Sequence, residues 1–119
     1  MTVTVDDVRR IAVTLPRTEE AIVRDRVKFR VRGIVYAALS ADDTILGFGY
    51  PKEERDALVA ARPDTFMLPT RVSDLRFHWV CARLAALDHD ELFELLVDAW
   101  RMTVPKKVIA EYEARTGGG

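Results

Sequence analysis

The sequence predicts an α+β fold in which helices cover one face of an antiparallel sheet, and three observations predict it. Residues 20–50 alternate with a period of two, which is typical of half-buried strands because successive side chains point to opposite faces. Residues 8–15 and 92–100 instead space their apolar residues as helices do. The connections between the strands are too short for parallel crossovers, which favours an antiparallel sheet.

The first predicted element is a helix. Residues 4–7 read Thr-Val-Asp-Asp, a pattern typical of an N-terminal cap with acids in the first turn. Pro16 is expected to stop the helix. Its apolar residues recur at helical spacing: Val8, Ile11, Ala12 and Leu15.

Three strands are predicted next. Val27, Phe29 and Val31 form the apolar row of the first strand, and Arg32-Gly33 is expected to turn because glycine tolerates positive φ. Residues 34–39 continue as the second strand. Residues 41–43 turn the chain again, and residues 44–50 form the third strand.

The second half of the chain predicts a helix, two strands and two more helices. Residues 52–62 follow Pro51 as a helix, and residues 65–72 are expected as a short strand that Pro69 breaks. Residues 77–84 predict a strong strand. Asp88 with Glu91 indicates the cap of the helix at residues 92–100, and Pro105 is expected to open the last helix.

The composition indicates one soluble domain, residues 1–116, with a flexible glycine tail at 117–119. No stretch approaches the ~20 apolar residues of a membrane span, and no signal pattern begins the chain, so we expect a cytoplasmic protein with no membrane partner. The sequence pI near 6.1 argues against a dedicated nucleic-acid-binding protein. Any such binding must therefore come from a local patch.

The most distinctive local feature is a cation at every second position from Arg24 to Arg32. If this segment is one strand, five cations project from one face along roughly 26 Å: Arg24, Arg26, Lys28, Arg30 and Arg32. The segment, with five cations and one acid, has a charge of +4, whereas the whole chain has −1. One interpretation is a solvated sheet face paired with acids. The other is a ribbon that binds phosphates.

Two further features leave a structural and a functional interpretation open. Gly47 and Gly49 share one face of the third strand, where either a packed helix or aromatic neighbour, such as Tyr36, or a ligand comes close to the backbone. Phe77 and Trp79 either pack in the core or stack on bases. We expect core packing for Trp79, together with Leu95 and Leu96.

The residue types that act as catalytic groups or metal ligands in other proteins form no catalytic or metal-binding pattern in this sequence. His78 and Cys81 are three apart on a predicted strand and therefore face opposite sides, so they form no dyad. His89 is expected at the surface near a helix cap. Two histidines and one cysteine without close ligand spacing do not build a usual zinc site. We therefore expect no enzyme activity, no metal and no cofactor.

Several motifs together resemble the MmcQ/YjbR-like family of small bacterial proteins. They occur in order from about residue 5 to residue 112, in residues 28–33, 51–55, 63–66, 79–84, 91–100 and 105–107. The resemblance implies a frataxin-like sandwich and a DNA-binding role through two wing-like hairpins. The chain departs from the family pattern at Ile34, Phe48 and residues 70–76, where family members often carry basic residues or a histidine.

The resulting hypothesis is a weak, sequence-nonspecific DNA-binding protein that uses a basic sheet face. Arg24, Arg26, Lys28 and Arg30 would contact phosphates, with Arg32 and Arg76 at the tips of the hairpins. The alternative is a protein-interaction module whose basic sheet edge meets an acidic partner, with no role in binding nucleic acid. The sequence leaves the oligomeric state open.

Overall fold

The structure, a computed structural model, describes residues 3–69 and 78–116. In this part of the chain it contains four α-helices and six β-strands. In chain order they are α1 (Val5–Ala12), β1 (Glu19–Val23), β2 (Arg26–Val31), β3 (Ile34–Leu39), β4 (Ile45–Gly49), α2 (Lys52–Ala61), β5 (Phe66–Met67), β6 (Trp79–Arg83), α3 (His89–Arg101) and α4 (Lys106–Thr116).

The six strands form one sheet in the order β1-β2-β3-β4-β6-β5, and every neighbouring pair is antiparallel. The predicted α+β class and antiparallel sheet are therefore confirmed. β1 to β4 follow one another as a meander, and β6 then lies between β4 and β5. Of the predicted strand at residues 65–72, only Phe66–Met67 is a strand among the described residues.

The prediction that residues 24–32 form one strand is wrong at its beginning. Arg24 and Asp25 both have positive φ, 52° and 64°, and they join β1 to β2 as a tight hairpin turn. Two successive left-handed residues match the twist of a hairpin, and aspartate tolerates that conformation better than most residues. At the other end of β2, Arg32 and Gly33 have φ of 52° and 81°, which confirms the predicted turn.

One face of the sheet, here called the closed face, packs against the helices. The apolar row of β2, Val27, Phe29 and Val31, is buried there, as predicted. Leu96 and Trp100 of α3 are fully buried in the same core, whereas Leu95 is only half-buried. Burial of this apolar surface is the main stabilising contribution to the fold.

Helices α1 and α3 begin directly after their N-terminal capping residues. Asp7 accepts a hydrogen bond of 2.8 Å from the backbone N–H of Thr4 at the start of α1. Asp88 accepts one of 2.8 Å from the backbone N–H of Glu91 at the start of α3. α1 ends at Ala12, earlier than Pro16, because the backbone N–H groups of Thr14 and Leu15 donate to carbonyls three residues before them instead of four. No helix in the described ranges is long and apolar enough to span a membrane.

Candidate nucleic-acid interface

The other face of the sheet, here called the open face, carries the alternate residues of each strand. Partner residues in neighbouring strands share a face, and the register joins Lys28 to Ala38, Ala38 to Gly47 and Gly47 to Cys81. Arg26 and Arg30 alternate with the buried row of β2 and lie on the same face, half-buried like Lys28. Three cations of the predicted row are therefore in line, and they span roughly 13 Å, about half the predicted length.

Ion pairing divides this row into two parts. Arg30 is paired with Glu19 across the β1–β2 hairpin, with its Nε 2.7 Å and an Nη atom 2.5 Å from the same carboxylate oxygen. Within residues 3–69 and 78–116, no carboxylate forms an ion pair with Arg26 or Lys28. Within this row, the positive charge that remains available therefore belongs to Arg26 and Lys28.

The other cations predicted for the site have different positions. Arg24 and Arg32 are exposed in the turns at opposite ends of β2 and do not belong to the strand. Arg76 and Phe77 lie outside the described residues. Arg24 is thus not part of the predicted row, because its left-handed backbone interrupts the alternation of side chains between the two faces. Arg32 lies in the turn that was predicted for it.

Trp79 lies on the open face, so the prediction that it packs in the core is wrong. A Cβ atom added to Gly47 would be 2.6 Å from the indole Nε1 and 2.9 Å from both Cε2 and Cζ2. The indole therefore lies directly over the backbone of β4, where only a glycine leaves room for it. This aromatic neighbour confirms the crowding predicted at Gly47, although Trp79 takes the place expected for Tyr36.

Gly49 does not share this crowding. A Cβ atom there would be 3.6 Å from the sulfur of Met102 and 3.7 Å from the Cβ of Ala99, which are ordinary van der Waals distances. A packed helix, one of the two predicted neighbours, is therefore found at Gly49, where α3 makes ordinary contacts.

The residue before Trp79 fixes the entry into β6. The backbone N–H of Lys52 donates to Nδ1 of His78 over 2.9 Å, and the backbone N–H of Tyr50 donates to the His78 carbonyl over 3.1 Å. These bonds tie the start of β6 to the end of β4 and to the start of α2. His78 therefore positions Trp79 on the sheet.

Two cavities open on this face. The larger has a volume of about 440 Å³, within the usual size range of small-ligand sites. Arg26 and Lys28 line it together with apolar side chains from β3, β6 and the end of α3, among them Tyr36, Trp79 and Met102. The smaller, of about 240 Å³, shares Arg26, Ala38 and Trp79 with the larger one. Neither is lined by an aspartate or glutamate of the described residues.

Tyr36, which lines the larger cavity, lies where the pairing of β2 with β3 is irregular. The register shifts between Phe29 and Arg30, which leaves Tyr36 without a partner residue on β2. Its hydroxyl lies 2.8 Å from that of Thr18, and burial raises the pKa of Tyr36 to about 12. The phenol is therefore neutral at physiological pH and adds no negative charge beside the two cations.

The sequence contains a signal that identifies the open face of β6. Trp79 and Arg83 lie at alternate positions, and Val80 and Ala82 between them are fully buried. A charged residue such as Arg83 indicates the solvent side of a strand. Trp79 is an even number of residues from Arg83, so its side chain lies on the same face of the strand. Arg83 also lies on the open face, where its guanidinium donates to the Asp64 carbonyl over 3.1 Å.

The described residues do not bring a set of metal ligands together. Within residues 3–69 and 78–116, no cluster of three or more His, Cys, Asp or Glu is placed to hold a metal ion. His89 is exposed at the first position of α3, as predicted, with its Nε2 3.4 Å from a carboxylate oxygen of Asp7. Cys81 is half-buried on the open face.

Comparisons with known proteins agree with this architecture. A family model described as YjbR matches residues 13–102. The crystal structure of a Deinococcus radiodurans protein with a DUF419 domain is similar, with a TM-score of 0.74 and 24% sequence identity, covering 92% of this chain and 87% of that one. This likeness shows the fold. No curated protein matches the chain.

Proposed function

The chain belongs to the YjbR family, and we propose that its open sheet face binds the phosphate backbone of nucleic acid weakly and without sequence preference. The observation that carries the proposal is the pair of half-buried cations, Arg26 and Lys28, that have no ion-pair partner among the described residues. Positive charge without an internal partner is available to an external anion, and phosphates are the anions that arginine and lysine commonly bind in nucleic acids.

The acids near this surface support the same interpretation. Glu19 is paired with Arg30, and Glu20 is paired with Arg9 of α1, with 3.3 Å between the two charged atoms. The acids of the edge strand β1 therefore have partners of their own. Since no described acid lines either cavity, the charged side chains of their linings are Arg26 and Lys28, both positive, although the whole chain has a formal charge of −1.

The same arrangement accounts for weak binding without sequence preference. Arg26 and Lys28 would supply two contacts, and the turn residues Arg24 and Arg32 would bring the total for the predicted cations to four. Contacts to phosphate position a protein on nucleic acid but carry no sequence information. We therefore expect the logarithm of the affinity for duplex DNA to fall with the logarithm of salt concentration with a slope between about −1.8 and −3.6.

The test uses substitutions on one strand that remove the same charge. Lys28→Gln removes an unpaired cation, and Arg30→Gln removes a cation that is paired with Glu19. Fluorescence anisotropy of a random duplex at several salt concentrations should show the slope reduced by about 0.9 in Lys28→Gln and by about 1.8 in Arg26→Gln/Lys28→Gln. Arg30→Gln should change the slope by less than half as much as Lys28→Gln.

The melting temperatures of these variants should stay close to that of the native protein, because the three side chains lie opposite the buried row of β2. Absence of binding at low salt, or equal slopes for the native and doubly substituted proteins, would contradict the proposal. An acidic protein partner would then become the better account of the same charges.

A further inference from the structure

We infer that the open face prefers single-stranded nucleic acid, with the indole of Trp79 as a platform on which an unpaired base stacks. The inference rests on the proposed function, because Arg26 and Lys28 would hold the phosphates beside that base. It adds a ligand class, since a base is available for stacking on a protein side chain only where it is not paired and stacked in a duplex.

The first step of the argument is the position of the indole. Three consecutive atoms along one edge of its ring, Nε1, Cε2 and Cζ2, lie 2.6–2.9 Å from the Cβ position of Gly47, so this edge of the ring rests on the sheet. Trp79 is nevertheless only half-buried. A ring that the backbone holds along one edge and that solvent reaches elsewhere offers an apolar surface in a fixed position.

The second step is the position of this platform between two cavities. Trp79 and Arg26 line both of them, and the larger, of about 440 Å³, also contains Lys28. A base that stacks on the indole therefore has cations beside it for the phosphates on either side. Stacking surfaces combined with a cationic groove are the usual means of binding single strands without sequence preference.

The third step is the contrast with the other tryptophan. Trp100 is fully buried, and its indole N–H donates to the Pro16 carbonyl over 2.8 Å. The indole N–H of Trp79 has no hydrogen-bond acceptor in the described part of the chain. Because buried indoles usually have a partner for this group, the geometry of Trp79 fits a role at a wet surface.

The experiment compares labelled single strands with a duplex of equal length, about 12 nucleotides, which is within the site sizes of single-strand binders. The probes are oligo(dT), oligo(U) and a random duplex, measured by fluorescence anisotropy at low salt. The variants are Trp79→Leu, Trp79→Phe and, as the control, Phe93→Leu, which changes an exposed aromatic residue of α3 away from the open face.

We expect the native protein to bind at least one single strand more tightly than the duplex, by about 5- to 150-fold for each stacked base. Trp79→Leu should lose this preference with duplex affinity changed less than about 2-fold, a loss well below that of one stacked base. Trp79→Phe should keep part of the preference because phenylalanine still offers a ring, and Phe93→Leu should keep all of it. The ratio of oligo(dT) to oligo(U) binding shows which of the two strands, DNA or RNA, binds more tightly.

Equal affinity for single strands and duplex would overturn the inference, and so would an equal loss for all probes in Trp79→Leu. The proposed function would stand in both cases, provided that Arg26→Gln/Lys28→Gln weakens binding of the duplex. If none of the probes binds at low salt, both the inference and the proposed function fail. Retained preference in Trp79→Phe shows that this variant is folded and that the aromatic ring is required.

Discussion

The two faces of the sheet are built from the same strands. They differ in how fully their side chains are buried and in whether their polar groups have partners among the described residues. On the closed face, Phe29, Leu96 and Trp100 are fully buried, and Trp100 also has a partner for its indole N–H. On the open face, Trp79 is half-buried and Arg26 lacks an ion-pair partner among the described residues. The closed face therefore accounts for stability, and the open face retains groups that an external ligand can satisfy.

This difference indicates where the proposed function would reside in a domain whose sequence predicts no catalytic site. Apolar burial on the closed face contributes stability through contacts that are complete within the chain. Cations beside apolar cavities contribute little to the free energy of folding. A half-buried cation also loses part of its hydration, and this loss is not compensated when it has no ion-pair partner. The unpaired cations of the open face are thus the feature that folding alone does not explain.

The largest expected effect tests the closed face. Leu96→Ala should lower the free energy of unfolding by about 2–5 kcal/mol, because it removes a fully buried side chain and leaves a cavity. The matched control is Ile34→Ala, since Ile34 is 55% exposed at the start of β3 and should cost less than about 0.5 kcal/mol. Urea denaturation measures both, and equal losses would mean that the core is not where this account places it.

The next effect tests the packing of the indole on the open face. Gly47→Ala places a methyl group 2.6 Å from the Trp79 ring, so the indole must move and stability should fall by about 1–3 kcal/mol. Gly49→Ala, the control in the same strand, meets nothing closer than 3.6 Å and should stay within about 0.5 kcal/mol. Thermal denaturation with tryptophan fluorescence follows both changes. Similar stabilities for the two variants would contradict the position assigned to Trp79.

The smallest effect concerns Tyr36, which is buried and also lines the larger cavity. Its folded pKa of about 12 lies above the ordinary value of 10.0, so the unfolded chain loses this proton first. The contribution of the neutral phenol is therefore complete below pH 10 and is lost as the pH rises toward 12. Urea denaturation between pH 9 and 12 should show a steeper loss of stability for the native protein than for Tyr36→Phe. Parallel curves would show that the phenol is not buried.

Most of the fold follows from sequence periodicity. The alternation of β2 predicts its buried row, and the helical spacing of residues 92–100 predicts α3, because each pattern matches the geometry of its element. The hairpin at Arg24-Asp25 was not predicted. Arg24 continues the alternation of cations along β2, so the sequence shows no break there. The turn also requires a left-handed backbone at both residues, and neither arginine nor aspartate predicts that conformation strongly.

The site was predicted less completely than the fold. The ion-pair partner of a side chain, and the face of a strand that meets the core, both depend on how the strands pack in the folded chain. The sequence identifies Arg26, Lys28 and Arg30 as one face, but only the β1–β2 register brings Glu19 to Arg30. The position of Trp79 depends on which face of β6 meets the core. The parity of Arg83 indicates that face, although aromatic residues most often pack inside.

The most direct test of the central claim uses the two tryptophans as reporters of the two faces. In a ¹⁵N-labelled sample, the indole N–H resonances of Trp79 and Trp100 are followed by NMR during titration with oligo(dT) at low salt, and Trp79→Phe assigns them. Binding at the open face should shift the Trp79 resonance and leave that of Trp100, bonded to the Pro16 carbonyl, unchanged. A bound oligonucleotide that leaves the Trp79 resonance in place would contradict the account.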